Sequence, residues 1–116
     1  MNYIIQTPSA TRLKKKILDC VEDKVDANGI GIATWKTVET DKGDRVLVHT
    51  DDQWAEKGCI ALRPDLIHGE VQLRFFYWDS CADEDRGNCD DKYMLGRFTE
   101  LLLVHFKYLI DKVVIE

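Results

Sequence analysis

The sequence predicts an α+β protein: a four- to five-stranded, mostly antiparallel sheet with two helices, in the order β-α-β-β-β-β-α. Three observations predict it. Residues 70–78 alternate strictly between two faces, as a strand with one buried side does. Two stretches, near residues 8–28 and 92–113, instead repeat their apolar residues at helical spacing. Between them, turn-forming residues cut the chain into short β-rich runs, a rhythm that suits hairpins.

Taken in order, Asn2–Gln6 reads as a short strand that Thr7-Pro8 brings to an end. Threonine is a favoured N-cap and proline a favoured first helical residue, so the same pair announces a helix. Leu13, Ile17, Cys20, Val21 and Val25 form its apolar stripe, and Asn28-Gly29 supplies its stop. Ile30–Glu39, with Trp35, and Arg45–Thr50 flank the turn Asp41-Lys42-Gly43-Asp44, which makes a hairpin. Asp51–Lys57 is a polar connection with one helical turn around Trp54, and Gly58 reopens an extended run to Arg63. In Glu70–Trp78, Val71, Leu73, Phe75 and Tyr77 mark one face; the other begins polar and ends on Phe76 and Trp78. An acidic loop covers Asp79–Asp91, and the second helix runs from Lys92 to about Val113. A right-handed crossover through the first helix makes the first two strands a parallel pair, with the others in an antiparallel meander and both helices on one face.

At 116 residues the chain fits one domain, residues 1–116, and its 45% apolar content suffices for a packed core. Neither a repeat nor a low-complexity tract divides it. The net charge of −5 is concentrated: residues 79–91 carry six acids against one base. Such a chain repels phosphate backbones at long range, which disfavours nucleic-acid binding. The basic run Arg12, Lys14, Lys15, Lys16 reads as a solvated helix face. The start of the chain lacks the basic, then apolar, pattern of a signal peptide, and no apolar run can cross a membrane. The expected location is cytoplasmic, with the four cysteines as thiols.

Chemistry-bearing residues are scattered. The loop acids fail the calcium-loop pattern, because counting from Asp83 puts Asn88 at the glycine position and Met94 at the glutamate position. Cys81 and Cys89 flank the loop and could pair only in an oxidising compartment; no zinc-type spacing joins the cysteines to His49, His68 or His105. Cys20 and Cys59 sit among apolar residues, as small buried hydrophobes do, and His105 reads as a hydrogen-bonded core residue. Neither a metal nor a cofactor is called for, and enzymatic activity is not the expected reading.

The strongest functional signal is an excess of apolar surface. A helix on one sheet face needs an apolar arc a little over 100° wide, yet apolar residues surround most of the second helix. Leu103, Val104, Tyr108 and Ile110 therefore need cover from the first helix and loops, or from a protein partner or a second copy. Gly96 lets another backbone approach closely in either case. Trp35, Phe76 and Trp78 form a second candidate contact if they share the helix-free face; otherwise they cap one end of the core. The leading expectation is a non-catalytic protein-interaction module, adaptor-, chaperone- or immunity-like. The rival is a small ligand-binding or enzymatic domain with a pocket under the 79–91 loop, its polar groups Cys81, Asp83 and Asp85.

Overall fold

The computed structural model describes residues 3–116; Met1 and Asn2, the latter the expected start of the first strand, lie outside the described residues. Strand β1 (Tyr3–Gln6) leads into helix α1 (Ala10–Asp23), followed by β2 (Trp35–Glu39) and β3 (Arg45–His49). A short helix α2 (Asp52–Ala55) precedes β4 (Gly58–Asp65) and β5 (Glu70–Tyr77); helix α3 (Asp90–His105) and strand β6 (Lys112–Ile115) complete the order. The fold is α+β. One antiparallel sheet of six strands, in the order β2-β3-β4-β5-β1-β6, carries α1 and α3 on the same face.

Ser9, two residues after the expected cap, opens α1: its side chain accepts a hydrogen bond from the Arg12 N–H. Thr7 is committed elsewhere, its buried hydroxyl donating to the Leu109 carbonyl at 2.7 Å. The helix ends at Lys24, which adopts a left-handed φ of 61° and donates to the Cys20 and Val21 carbonyls. Asn28-Gly29, the expected stop, belongs to a separate turn, in which the Gly29 N–H donates to Asp26. After that turn, residues 30–32 bond back to residues 24–26, so the second strand shrinks from the expected Ile30–Glu39 to its last five residues.

The larger correction is at the C-terminus. The second predicted helix stops at His105, a one-turn 3-10 segment spans Lys107–Leu109, and the chain then becomes β6. Val113, at helical spacing on the apolar stripe, instead lies opposite Ile5, and Ile115 lies opposite Tyr3. The β-branched run Val113-Val114-Ile115 prefers a pleated surface, and pairing with β1 satisfies its backbone. The parallel pairing of the first two strands is overturned by the same event. With β5 on one side and β6 on the other, both antiparallel, β1 is separated from β2 by three intervening strands.

The main core lies between the sheet and the two helices. Leu13, Ile17 and Val21 of α1 and Met94, Phe98 and Leu102 of α3 meet Ile5, Leu47, Ile60 and Leu73 of the sheet. Burying each such side chain contributes roughly 1.5–3 kcal/mol. Trp35 belongs to this core. It is only 2% exposed and meets Phe98 and His49 edge-on at 5.1 and 5.2 Å, on the helix side of the sheet. It therefore does not share the helix-free face with Phe76 and Trp78. The long β4–β5 hairpin runs from Gly58 opposite Tyr77 to Asp65 opposite Glu70. Glycine is required at its start, because a Cβ on Gly58 would collide with the Phe76 carbonyl and the Phe75 ring.

Candidate functional site

The face of the sheet that α1 and α3 leave uncovered is apolar over half its width. Strand alternation sends Val38, Val46, Val48, Cys59, Ala61 and Phe76 to this side, while Leu47, Ile60 and Leu73 face the helices. Val46, Val48 and Cys59 are buried all the same, because Trp78, Val38, Ala55 and Ala61 pack against them. Trp78 is pinned there by its indole N–H, which donates to the Ala55 carbonyl at 2.9 Å. Burial pushes the Cys59 thiol up to about 11, so it stays protonated as part of the apolar floor. Phe76 remains 44% exposed, with the Arg63 guanidinium 5.6 Å from its ring.

A groove of about 720 Å³ runs along this face, with Val38, Val46, Ala61, Phe76 and Trp78 in its wall. It follows a loose seam, since Leu47 opposite Ile60 is the one residue pair in register between β3 and β4 among the described residues. Lys14, Lys42, Arg45 and Arg63 border it together with Glu39, Asp41, Asp44 and Asp79, so its rim carries both signs of charge.

The outer side of α3 is the other apolar surface. Leu103, Val104 and Tyr108 are 48%, 66% and 54% exposed, whereas Ile110 is half-buried against the main core. Nearer the start of the helix, Tyr93 stacks on Trp54 at 4.4 Å and is otherwise open to solvent.

The acidic loop is built differently from the pocket roof that its composition suggests. Asp83 points outward, its side chain 98% exposed. Asp85 contributes its backbone carbonyl, which accepts from the Lys57 ammonium at 2.6 Å. Cys81 is buried and Cys89 exposed, both as free thiols. The hollow beneath, about 390 Å³, is lined by Gln53, Glu56, Lys57, Ser80, Cys81 and Asp85, a mostly polar set.

What fastens the loop is Asp90, which sequence reasoning treats only as one more acid near a helix start. Its buried carboxylate accepts from the Gly87 N–H at 2.7 Å, the Tyr77 hydroxyl at 2.8 Å and Lys57 at 3.2 Å. Burial alone would raise its pKa, but these three donors outweigh burial and hold it below the usual carboxylate range. Tyr77, desolvated and bonded to that carboxylate, is pushed up to about 12. No sequence spacing links residues 57, 77 and 90. The β4–β5 hairpin sets Lys57 beside Tyr77, and the start of α3 brings Asp90 to both.

A second buried carboxylate, Asp26, ties the loop after α1 to the end of α3. It accepts from the Asn28 and Ile30 N–H groups at 2.8 and 2.9 Å and from His105 Nδ1 at 2.7 Å. The hydrogen bond from His105, aided by the two amides, lowers the Asp26 pKa against the opposing effect of burial. Its contribution to stability is therefore complete above the unfolded value near 3.8 and is lost as pH falls through the lower folded value. Asp26→Asn is expected to lower the thermal midpoint at pH 7 and to flatten its decline below pH 4, as followed by circular dichroism; an unchanged acid limb would contradict this. His105 also lines a cleft of about 310 Å³ with Arg97, Glu100, Val104 and residues 31–35.

Among the described residues, no group of three or more His, Cys, Asp or Glu side chains is placed to hold a metal ion, and no helix is long and apolar enough to cross a membrane. Comparison with protein-family models, with curated proteins and with solved structures finds no match to this chain.

Proposed function

We propose that this protein is a non-catalytic interaction module that docks a protein partner on the helix-free face of its sheet, in the groove beneath Phe76 and Trp78. One observation carries this reading: four strands present an apolar floor on the side that α1 and α3 leave uncovered, with Ala55 of the short α2 against one part of it. A solvated sheet face ordinarily alternates to polar residues. Here Gln72 and Arg74 on β5, Arg63 on β4 and Lys36 on β2 are the polar residues of these strands on that face, and valine, cysteine, alanine and aromatic rings fill the space between them. A half-exposed phenylalanine beside an arginine is a pairing enriched at interface centres, and a rim of mixed charge suits selection of one partner by register.

A photo-crosslinking amino acid at position 76, introduced in the source cells, tests the reading. It is expected to trap a discrete protein that the same probe at Lys112, on the far edge of the sheet, does not trap. Phe76→Thr keeps a β-favouring residue and should weaken binding of that protein about 30-fold or more, the loss of a central contact. Identical adducts at both positions, or full affinity in Phe76→Thr, would overturn the proposal.

A further inference from the structure

We infer that the outer face of α3 pairs with the α3 of a second copy of this chain, antiparallel and about a two-fold axis. The contact uses the opposite side of the molecule from the groove and does not rest on that assignment.

Three features point to this occupant. The first is Gly96. A Cβ built there meets nothing within 4 Å, so nothing inside the chain requires a glycine, although glycine is a poor residue for a helix interior. Leu103 lies two turns further along the same line of the helix, 48% exposed. If an antiparallel neighbour crosses with its axis near Thr99 and Glu100, Leu103 of each chain enters the notch above Gly96 of the other. The same arrangement brings the start of one α3, with half-exposed Tyr93, toward the turn that follows the other, where Tyr108 is half-exposed. A surface carrying both the knob and the hole, evenly spaced about one point, is self-complementary, as an isologous contact must be.

The second feature is charge. The chain carries −5 overall, which opposes self-association across most of its surface. On this face Arg97 and Glu100 sit 3.3 Å apart, both well exposed, so it is locally neutral. An antiparallel copy lets each arginine also approach the other chain's glutamate.

The third is direction. The acidic loop precedes α3 and Lys107 follows it, so antiparallel stacking opposes the helix dipoles and turns each acidic end toward a basic one. A parallel pair would align like with like.

One helix crossing buries less than the roughly 1,200–2,000 Å² of a stable interface, so the dimer is weak. Sedimentation equilibrium of the full chain from about 10 µM to about 1 mM, the range suited to a small interface, should show the mean mass rising from one chain toward two. Leu103→Glu should hold it at one. Gly96→Gln, which fills the notch with a better helix former, should raise the thermal midpoint in dilute solution while abolishing the mass increase. Phe76→Thr should dimerise as the native chain does, even if groove binding is lost. A native chain still monomeric at about 1 mM overturns the inference. So does a dimer that survives both α3 variants, or one that Phe76→Thr abolishes, since the second copy would then occupy the groove.

Discussion

Phe98→Ala is expected to cost about 3–5 kcal/mol, the range for truncating a buried phenylalanine. The ring is fully buried at mid-helix, meets Trp35 edge-on at 5.1 Å and belongs to the cluster that joins α3 to the sheet. Truncation removes its transfer free energy and leaves a cavity that neighbouring helix and sheet backbones can only partly close. It also strips the indole of Trp35 of one of two edge contacts, the other being with His49. For a domain of this size, total stability falls near 5–15 kcal/mol, so the variant should sit close to its unfolding threshold at 37 °C. Urea unfolding followed through tryptophan fluorescence checks this, with the midpoint falling sharply and the slope unchanged. Phe98→Leu should lose less than half as much. A shift below about 1 kcal/mol in Phe98→Ala would mean that α3 does not close the core as described.

The core face of α3 was legible in the sequence because Leu95, Phe98 and Leu102 repeat at 3.6 residues and nothing local competes with that pattern. Strand β5 was legible for the equivalent reason at period two, and the acidic loop between them by composition. The end of α3 was not. Leu109 and Val113 continue the helical spacing, and only the pairing of 112–115 with β1 tips a β-branched run into a strand. Local sequence holds no record of that long-range pairing, and the same ignorance put β1 beside β2. Trp35 shows a related limit. Alternation says that neighbours in a strand face opposite ways, but which set meets the helices depends on register against β3, where Trp35 lies opposite His49. Of the residues marked for partner contact, Phe76, Leu103, Val104 and Tyr108 lie at the surface, Trp78 and Ile110 are half-buried and Trp35 is inside. Exposed apolar residues can be suspected from an over-wide stripe. Clamps such as Lys57–Tyr77–Asp90 and Asp26–His105 cannot, because their members are 13 to 79 residues apart.

Asp90→Ala should be the costliest polar substitution, at about 2–4 kcal/mol, because it leaves a part-buried ammonium and two other donors without their acceptor. The carboxylate is 9% exposed and Lys57 18%, so water can replace little of what is lost without the loop lifting away. Loosening is the expected response: Lys57 and Tyr77 keep the Asp85 and Gly87 carbonyls, the latter at 3.2 Å, and Arg86 keeps those of Cys81 and Trp78, but the acceptor that gathers Lys57, Tyr77 and the Gly87 N–H is gone. Protease cleavage within 82–88 should accelerate in Asp90→Ala well before global unfolding. Tyr77→Phe removes one donor and no charge, and should cost only about 0.5–1.5 kcal/mol. In the double variant the losses should fall short of additive, since both substitutions break the same bond. The pH dependence follows from the lowered Asp90 pKa. Its stabilising share is whole above the ordinary carboxylate value of 3.8 and disappears as acid drives the pH through the lower folded value, so the native and Asp90→Ala stabilities should converge as the pH falls past that value. Convergence at low pH, with a wide gap at pH 7, distinguishes loss of the charge from loss of packing, which would persist at every pH. A gap independent of pH would assign Asp90 a space-filling role.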